Sequence, residues 1–198
     1  AITTGEGGMC STNNKTLYHK MLQFKNHGAN PVRRGEDAGK PYYMGIYDEL
    51  GYNLRLSDIQ AAVGVAQFGK LHILLEDRKR CADYYIEKLI GNTEIILPVV
   101  PQEFGHTYQS FVILIKSGDS KMRNRIMSEM QEQGIQSRPG TIAITRTEFN
   151  KEKYCLSDGA YPVAEFCEDS SITLPIYPIM KNEEMDIICN VLESCLLS

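Results

Sequence analysis

Ser57-Asp58-Ile59-Gln60 has the spacing of a helix-capping box, and a long helical apolar period follows it. In such a box the serine hydroxyl accepts from the third amide, while the glutamine reaches back to the serine amide. Apolar residues then recur through Ile59, Ala62, Val63, Phe68, Leu71, Leu74 and Leu75, and on through Cys81, Tyr84, Tyr85 and Leu89 to Gly91. The pattern predicts one helix over residues 58–90. At about 1.5 Å per residue it would span about 50 Å, well beyond the mean helix of about 11 or 12 residues. Gly64 and Gly69 weaken it locally, so a kink or a close contact is expected there. A helix of this length commonly bridges two lobes.

The flanking sequence is read the same way. Ile2 to Gly8 is a glycine-rich turn, and Met9 to Thr12 is expected as a short strand. Asn13 or Asn14 can cap a helix to about Asn26, which Gly28 stops. Residues 29–51 carry prolines, glycines and charges, and a loop that long is functional or packs on a partner. Beyond the long helix, His106 to Ile115 reads as a strand rich in aromatic and β-branched residues. Asp119 or Ser120 caps a helix to Gln133, and Ile135 to Ser137 is a short strand closed by Arg138-Pro139-Gly140. Residues 141–159 read mostly as loop, Pro162 opens a helix to Asp169, Ile172 to Pro175 is extended, and Asn182 caps the last helix.

Composition excludes several classes. The 198 residues carry a net charge of −4, so no basic surplus drives nucleic-acid binding. The longest apolar runs, such as Phe111 to Ile115, fall far short of the roughly 20 residues of a membrane span. Ala1 to Gly8 has no signal-peptide pattern, and the expected compartment is the cytoplasm. The six cysteines form no C-x-x-C pair and are read as reduced thiols. His19, His27, His72 and His106 are isolated from other ligand types and are read as structural, so no metal site is expected.

Four segments carry a family pattern. They are Ile2-Thr3-Thr4-Gly5-Glu6-Gly7-Gly8-Met9, then Asn26-His27-Gly28, then Gly51 to Ala62 (GYNLRLSDIQAA), and Ser171 to Met180 (SITLPIYPIM). Gly134 to Thr141 (GIQSRPGT) adds a fifth, looser match. In this order and with these separations they resemble the DegT/DnrJ/StrS family of pyridoxal-phosphate-dependent sugar aminotransferases. The resemblance implies an α/β chain, the C-terminal part of a fold-type-I transferase. Residues 1–98 would then be the remainder of the large cofactor-binding domain, including the long interdomain helix, and residues 99–198 a small α/β domain. It further implies a PLP cofactor, a nucleotide-diphosphate sugar with an amino-acid donor, commonly glutamate, and a homodimer with shared active sites.

The family places its cofactor-binding lysine before this glycine string, as K-x-I-T-T-G-E-G-G, with Ala1 here at x. The chain is therefore expected to begin one residue after that lysine, and no catalytic residue is assigned within it. Glycines in the string turn the chain sharply where a Cβ would forbid it, although a plain hairpin turn would use them too. Asn53 is implied to reach across the dimer to the partner's cofactor phosphate; taken alone it would close its own turn. Arg55 is read as bracing that loop. Arg138 is implied to face the diphosphate, to which a guanidinium fork is suited, although a plain surface arginine would look the same. Members with R-P-G-T usually continue as G-T-H-A-V-H, whereas Ile142 and Thr145 stand here in the histidine positions. That departure, together with the identity of the residue before Ala1, leaves two alternatives open: a sugar dehydratase of the same fold, which carries histidine for lysine, and a non-catalytic homologue with a binding or regulatory role.

Overall fold

The computed structural model describes residues 1–197. They form two compact units, Ile2–Lys70 and a second from Leu71 onward. The helix after Leu71 buries Cys81, Ala82, Tyr85 and Leu89 in the core of the second unit.

In the first unit, α1 (Lys15–Lys25) is capped by Asn14, whose side chain accepts from the Leu17 amide. Helix α2 (Asp58–Phe68) opens on the capping box, with both reciprocal bonds formed between Ser57 and Gln60. The strand expected over Met9 to Thr12 does not form. No large apolar side chain of this unit is buried among the described residues, whereas Gln23 is. Its amide nitrogen donates to Asp48 Oδ1 (2.5 Å) and to the Gly28 carbonyl (3.3 Å), pinning the irregular 29–51 segment to α1.

The helix expected as one piece over 58–90 is two. Helix α3 (Leu71–Leu89) starts after a break at Gly69 and Lys70. There the Lys70 amide donates three residues back, to the Gln67 carbonyl (3.0 Å), and the ladder of four-residue bonds is interrupted. Glycine loses more conformational freedom on folding than any other residue, so it holds a helix poorly at that point.

The second unit continues with β1 (Ile95–Ile96), β2 (Phe111–Ile115), α4 (Ser120–Glu132), β3 (Arg138–Pro139), a 3-10 turn (Ile144–Arg146), α5 (Glu148–Tyr154), α6 (Pro162–Ser170), β4 (Ser171–Leu174) and α7 (Asn182–Leu197). The sheet has the order β1-β2-β4-β3 with antiparallel pairs throughout. Helix α7 packs on α3 and α4, and together with β2 and β4 they enclose the core of Tyr85, Phe111, Ile113, Ile126, Ile172 and Leu192. Burial of this apolar surface is the main stabilising term of the unit.

Several local expectations are revised. Strand β2 begins at Phe111 rather than His106, because Tyr108 is left-handed (φ 45) and its amide donates to His106 Nδ1 (3.0 Å). Ile135 to Ser137 is not a strand; pairing with β4 starts at Arg138. Residues 141–159, read as loop, contain the 3-10 turn and α5, the latter ended by the left-handed Cys155 (φ 52). Asn182 does not cap α7 by its side chain. Its Oδ1 accepts from Arg80 (3.2 Å), while the Lys181 amide donates to Glu184 (2.8 Å).

Candidate functional site

In the first unit three of the recognised segments converge. The Asn26-His27-Gly28 turn ends α1: His27 is left-handed (φ 58), and the Gly28 amide closes back on the Gln23 carbonyl (2.9 Å). This leaves the Phe24 and Lys25 carbonyls without helical donors. The segment after Gly51 supplies them. The Tyr52 amide donates to Phe24 (2.7 Å), the Leu54 amide donates to Lys25 (3.0 Å), and the His27 amide donates to the Tyr52 carbonyl (3.0 Å). Asn26 and Asn53 are thereby bridge partners. Glycine is required at both crossing points: a Cβ on Gly28 would lie 1.8 Å from the Glu49 carbonyl oxygen, and one on Gly51 would lie 2.0 Å from the Gly28 nitrogen.

The glycine string joins the same assembly. Gly5 (φ 79) and Gly7 (φ 148) take conformations that side chains resist. Gln60, besides completing the capping box, donates its amide to the Glu6 carbonyl (2.8 Å). A Cβ on Gly64 would meet the Thr4 methyl at 3.1 Å, so this mid-helix glycine accommodates the string.

Asn53 is exposed on this platform. Its Oδ1 accepts from Arg55 Nε (3.1 Å), and Arg55 Nη1 donates to Asn26 Oδ1 (3.3 Å). A guanidinium only donates, so the atom facing it must be the amide oxygen. That orients Nδ2 the other way, and among the described residues it has no acceptor. Arg55 thus braces the loop, as read from the sequence.

Arg138 lies in the second unit, on the short edge strand β3, paired with Thr173 of β4. The chain after it docks on the buried Ser171, whose hydroxyl accepts from the Gly140 (3.1 Å) and Thr141 (3.2 Å) amides. Gly140 is needed there, since a Cβ would fall 2.4 Å from Val112 Cγ1. The Arg138 guanidinium is exposed, donates to Ser110 Oγ at 3.4 Å, and forms no ion pair among the described residues. It stands at the rim of a cavity of about 710 Å³ whose walls include Gln109, Ile135, Leu174, Tyr177 and Ile188. Tyr177 donates to Glu184 (2.8 Å); the Lys181 amide and then Tyr177 hold the Glu184 carboxyl below the usual range.

Ile142 is exposed and Thr145 is half-buried, its hydroxyl oxygen buried without a partner among the described residues. Neither offers an imidazole to this region. The neighbouring Arg146 was not singled out by sequence reasoning. Its guanidinium joins Glu165 (3.1 Å), Glu168 (3.1 Å) and Asp169 (2.8 Å), tying the 3-10 turn to α6. Only long-range packing reveals this. Arg78 was also missed: its Nη1 donates to the carbonyls of Tyr108 (3.0 Å), Gln109 (3.1 Å) and Ile176 (3.4 Å), linking the segment before β2 to that after β4. No group of side chains suited to a metal occurs among the described residues, and no helix there is long and apolar enough to cross a membrane.

This architecture is that of the pyridoxal-phosphate aminotransferases of fold type I. The chain superposes with a TM-score of 0.78 on PseC of Helicobacter pylori, an aminotransferase of pseudoaminic acid biosynthesis, at 20% identity over 93% of this chain and 47% of that one. It fits a putative sugar aminotransferase of Streptococcus pneumoniae in its PLP form equally well, with a TM-score of 0.78 and 20% identity over 93% of this chain and 44% of that one. The chain belongs to the DegT/DnrJ/EryC1/StrS aminotransferase family, whose model matches residues 1–193. Among curated relatives, GDP-perosamine synthase of Escherichia coli is 31% identical over 95% of this chain and 47% of that protein. The chain spans about half the length of the curated relatives it matches.

Proposed function

We propose that this chain forms part of a PLP-dependent aminotransferase that moves an amino group from an amino acid, glutamate being the natural donor, to a keto-sugar nucleotide. PLP, when bound, would supply the electron sink that amino transfer needs. Within this chain, Asn53 donates its Nδ2 hydrogen to a cofactor phosphate oxygen across the two-fold axis of a homodimer, and each subunit does the same for the other. Arg138 receives the diphosphate of the sugar nucleotide with its exposed guanidinium, which forms no ion pair among the described residues.

The observation that carries this reading is the Asn53 amide. It is exposed on a hydrogen-bonded backbone crossing, its oxygen is committed to Arg55, and its nitrogen has no acceptor among the described residues. A phosphate oxygen only accepts, so the residues present fit the cofactor's phosphate in chemistry. The names of the relatives support the substrate class: GDP-perosamine synthase works on a GDP-linked sugar, and another relative is a UDP-N-acetyl-3-dehydro-glucosamine aminotransferase.

The test uses the natural polypeptide bearing this sequence, supplied with PLP, glutamate and a keto-sugar nucleotide. Formation of 2-oxoglutarate should require the sugar nucleotide. Asn53→Ala should weaken PLP retention about 10- to 100-fold, from the loss of a hydrogen bond to a charged acceptor worth about 1.5 to 3 kcal/mol. Circular dichroism should be unchanged, because the Ser57 cap is intact. Absence of sugar-dependent 2-oxoglutarate, or unaltered PLP affinity in the variant, refutes the respective part of the proposal.

A further inference from the structure

We infer that Arg55 is a positioning residue that decides which face of the Asn53 amide is offered to the cofactor phosphate, an inference that rests on the proposed role of Asn53. The two faces of a primary amide are almost identical in shape, so steric packing scarcely selects between them. They are opposite in chemistry: NH2 donates to a phosphate oxygen, while C=O repels it. Some group must therefore hold the oxygen away from the ligand, and Arg55 is placed to do so.

Three features build that clamp. Asn53 and Arg55 are two residues apart, and their side chains meet, Arg55 Nε donating to Asn53 Oδ1. The segment is fixed to the end of α1 by the Tyr52–Phe24, Leu54–Lys25 and His27–Tyr52 hydrogen bonds, and a glycine crossing holds it there. The bridge partner of Asn53 is Asn26, and its Oδ1 takes the second arm of the guanidinium. Arg55 has no carboxylate partner among the described residues. The bonds recorded for its guanidinium go to the oxygens of these two amides, 3.1 Å and 3.3 Å away. A lysine ammonium in its place is a single point and lacks the fork that spans both oxygens.

The test is a double-mutant cycle on PLP affinity, read by absorbance titration of the natural polypeptide, with thermal unfolding followed in parallel. Arg55→Met keeps the aliphatic stem and removes the donors. Freeing one side chain that must be reordered on binding should weaken PLP affinity about 3- to 10-fold. In the Asn53→Ala background the same change should have less than about a 2-fold effect, because the amide through which it acts is gone. Arg55→Lys should recover only part of the loss, and it serves as the working variant if Arg55→Met does not fold. Equal losses in both backgrounds, no loss in either, or full recovery by lysine would each overturn the inference. A normal affinity in Asn53→Ala alone would instead remove the reading of Asn53 on which it stands, and the inference with it.

Discussion

Gly51→Ala is the sharpest single perturbation of the Asn53 platform. Gly51 has no positive φ, so alanine there meets no backbone-angle penalty, and its effect is steric alone. A Cβ at this position would sit 2.0 Å from the Gly28 nitrogen, 2.6 Å from the His27 carbonyl carbon and 2.8 Å from the Gly28 Cα. All three are backbone atoms and cannot swing aside. Restoring ordinary contact at about 3.4 Å requires the segment to withdraw by about 1.4 Å. The three crossing hydrogen bonds, now 2.7 to 3.0 Å long, would then exceed about 4 Å and be lost. At about 0.5 to 1.5 kcal/mol each, the three together amount to about 1.5 to 4.5 kcal/mol. The reduced freedom of alanine in the unfolded chain offsets about 0.4 to 1 kcal/mol of it. Asn53 moves with the segment, so PLP affinity should fall at least as far as in Asn53→Ala. The assay is thermal unfolding together with PLP titration of the natural polypeptide. Gly91→Ala is the control: its Cβ would meet nothing within 4 Å, and it should change stability by less than about 0.5 kcal/mol. If Gly51→Ala binds PLP and unfolds as the parent does, the close crossing with Gly28 is not present in the protein.

Ser57→Ala should cost about 0.5 to 2 kcal/mol in urea denaturation, since the hydroxyl accepts from the Gln60 amide (3.3 Å) and orders the Gln60 side chain that also holds Glu6; a midpoint unchanged within error would mean the cap contributes nothing. A second expectation concerns alkaline pH. Burial pushes the Cys189 thiol up to about 12, and it pushes Cys81 and Cys195 upward as well. A thiol whose folded value lies above its ordinary 9.0 contributes full stability below pH 9, and that contribution is lost as pH rises from about 9 towards 12. Stability measured at pH 8 and pH 10 should fall more steeply in the parent than in Cys189→Ala, and parallel pH profiles would contradict the burial of that thiol.

What the sequence revealed of this fold depended on how local each cause was. Asn14, Ser57–Gln60, Asp119 and Pro162 act within one helical turn, and each marks a helix start in the structure. Tyr108, Cys155 and Ile179 adopt left-handed backbones without being glycine, so nothing in composition announced where strand β2 would start or α5 would end. Strand β3 is two residues long and exists only because β4 lies beside it. The site divides in the same way. Asn53 and Arg138 were picked out by resemblance, whereas the Arg55–Asn26 bond joins residues 29 apart in sequence, and the Gly28–Gly51 contact is likewise invisible to any periodicity. The apolar period across α2 and α3 carries the deepest lesson. It is continuous in sequence, yet α3 buries Cys81, Ala82, Tyr85 and Leu89 while α2 buries no residue. Ile59, Val65 and Phe68 remain 81%, 75% and 66% exposed. A helical period therefore states which side chains can be buried together and is silent on what buries them. Apolar surface of that kind on a folded unit is a contact surface.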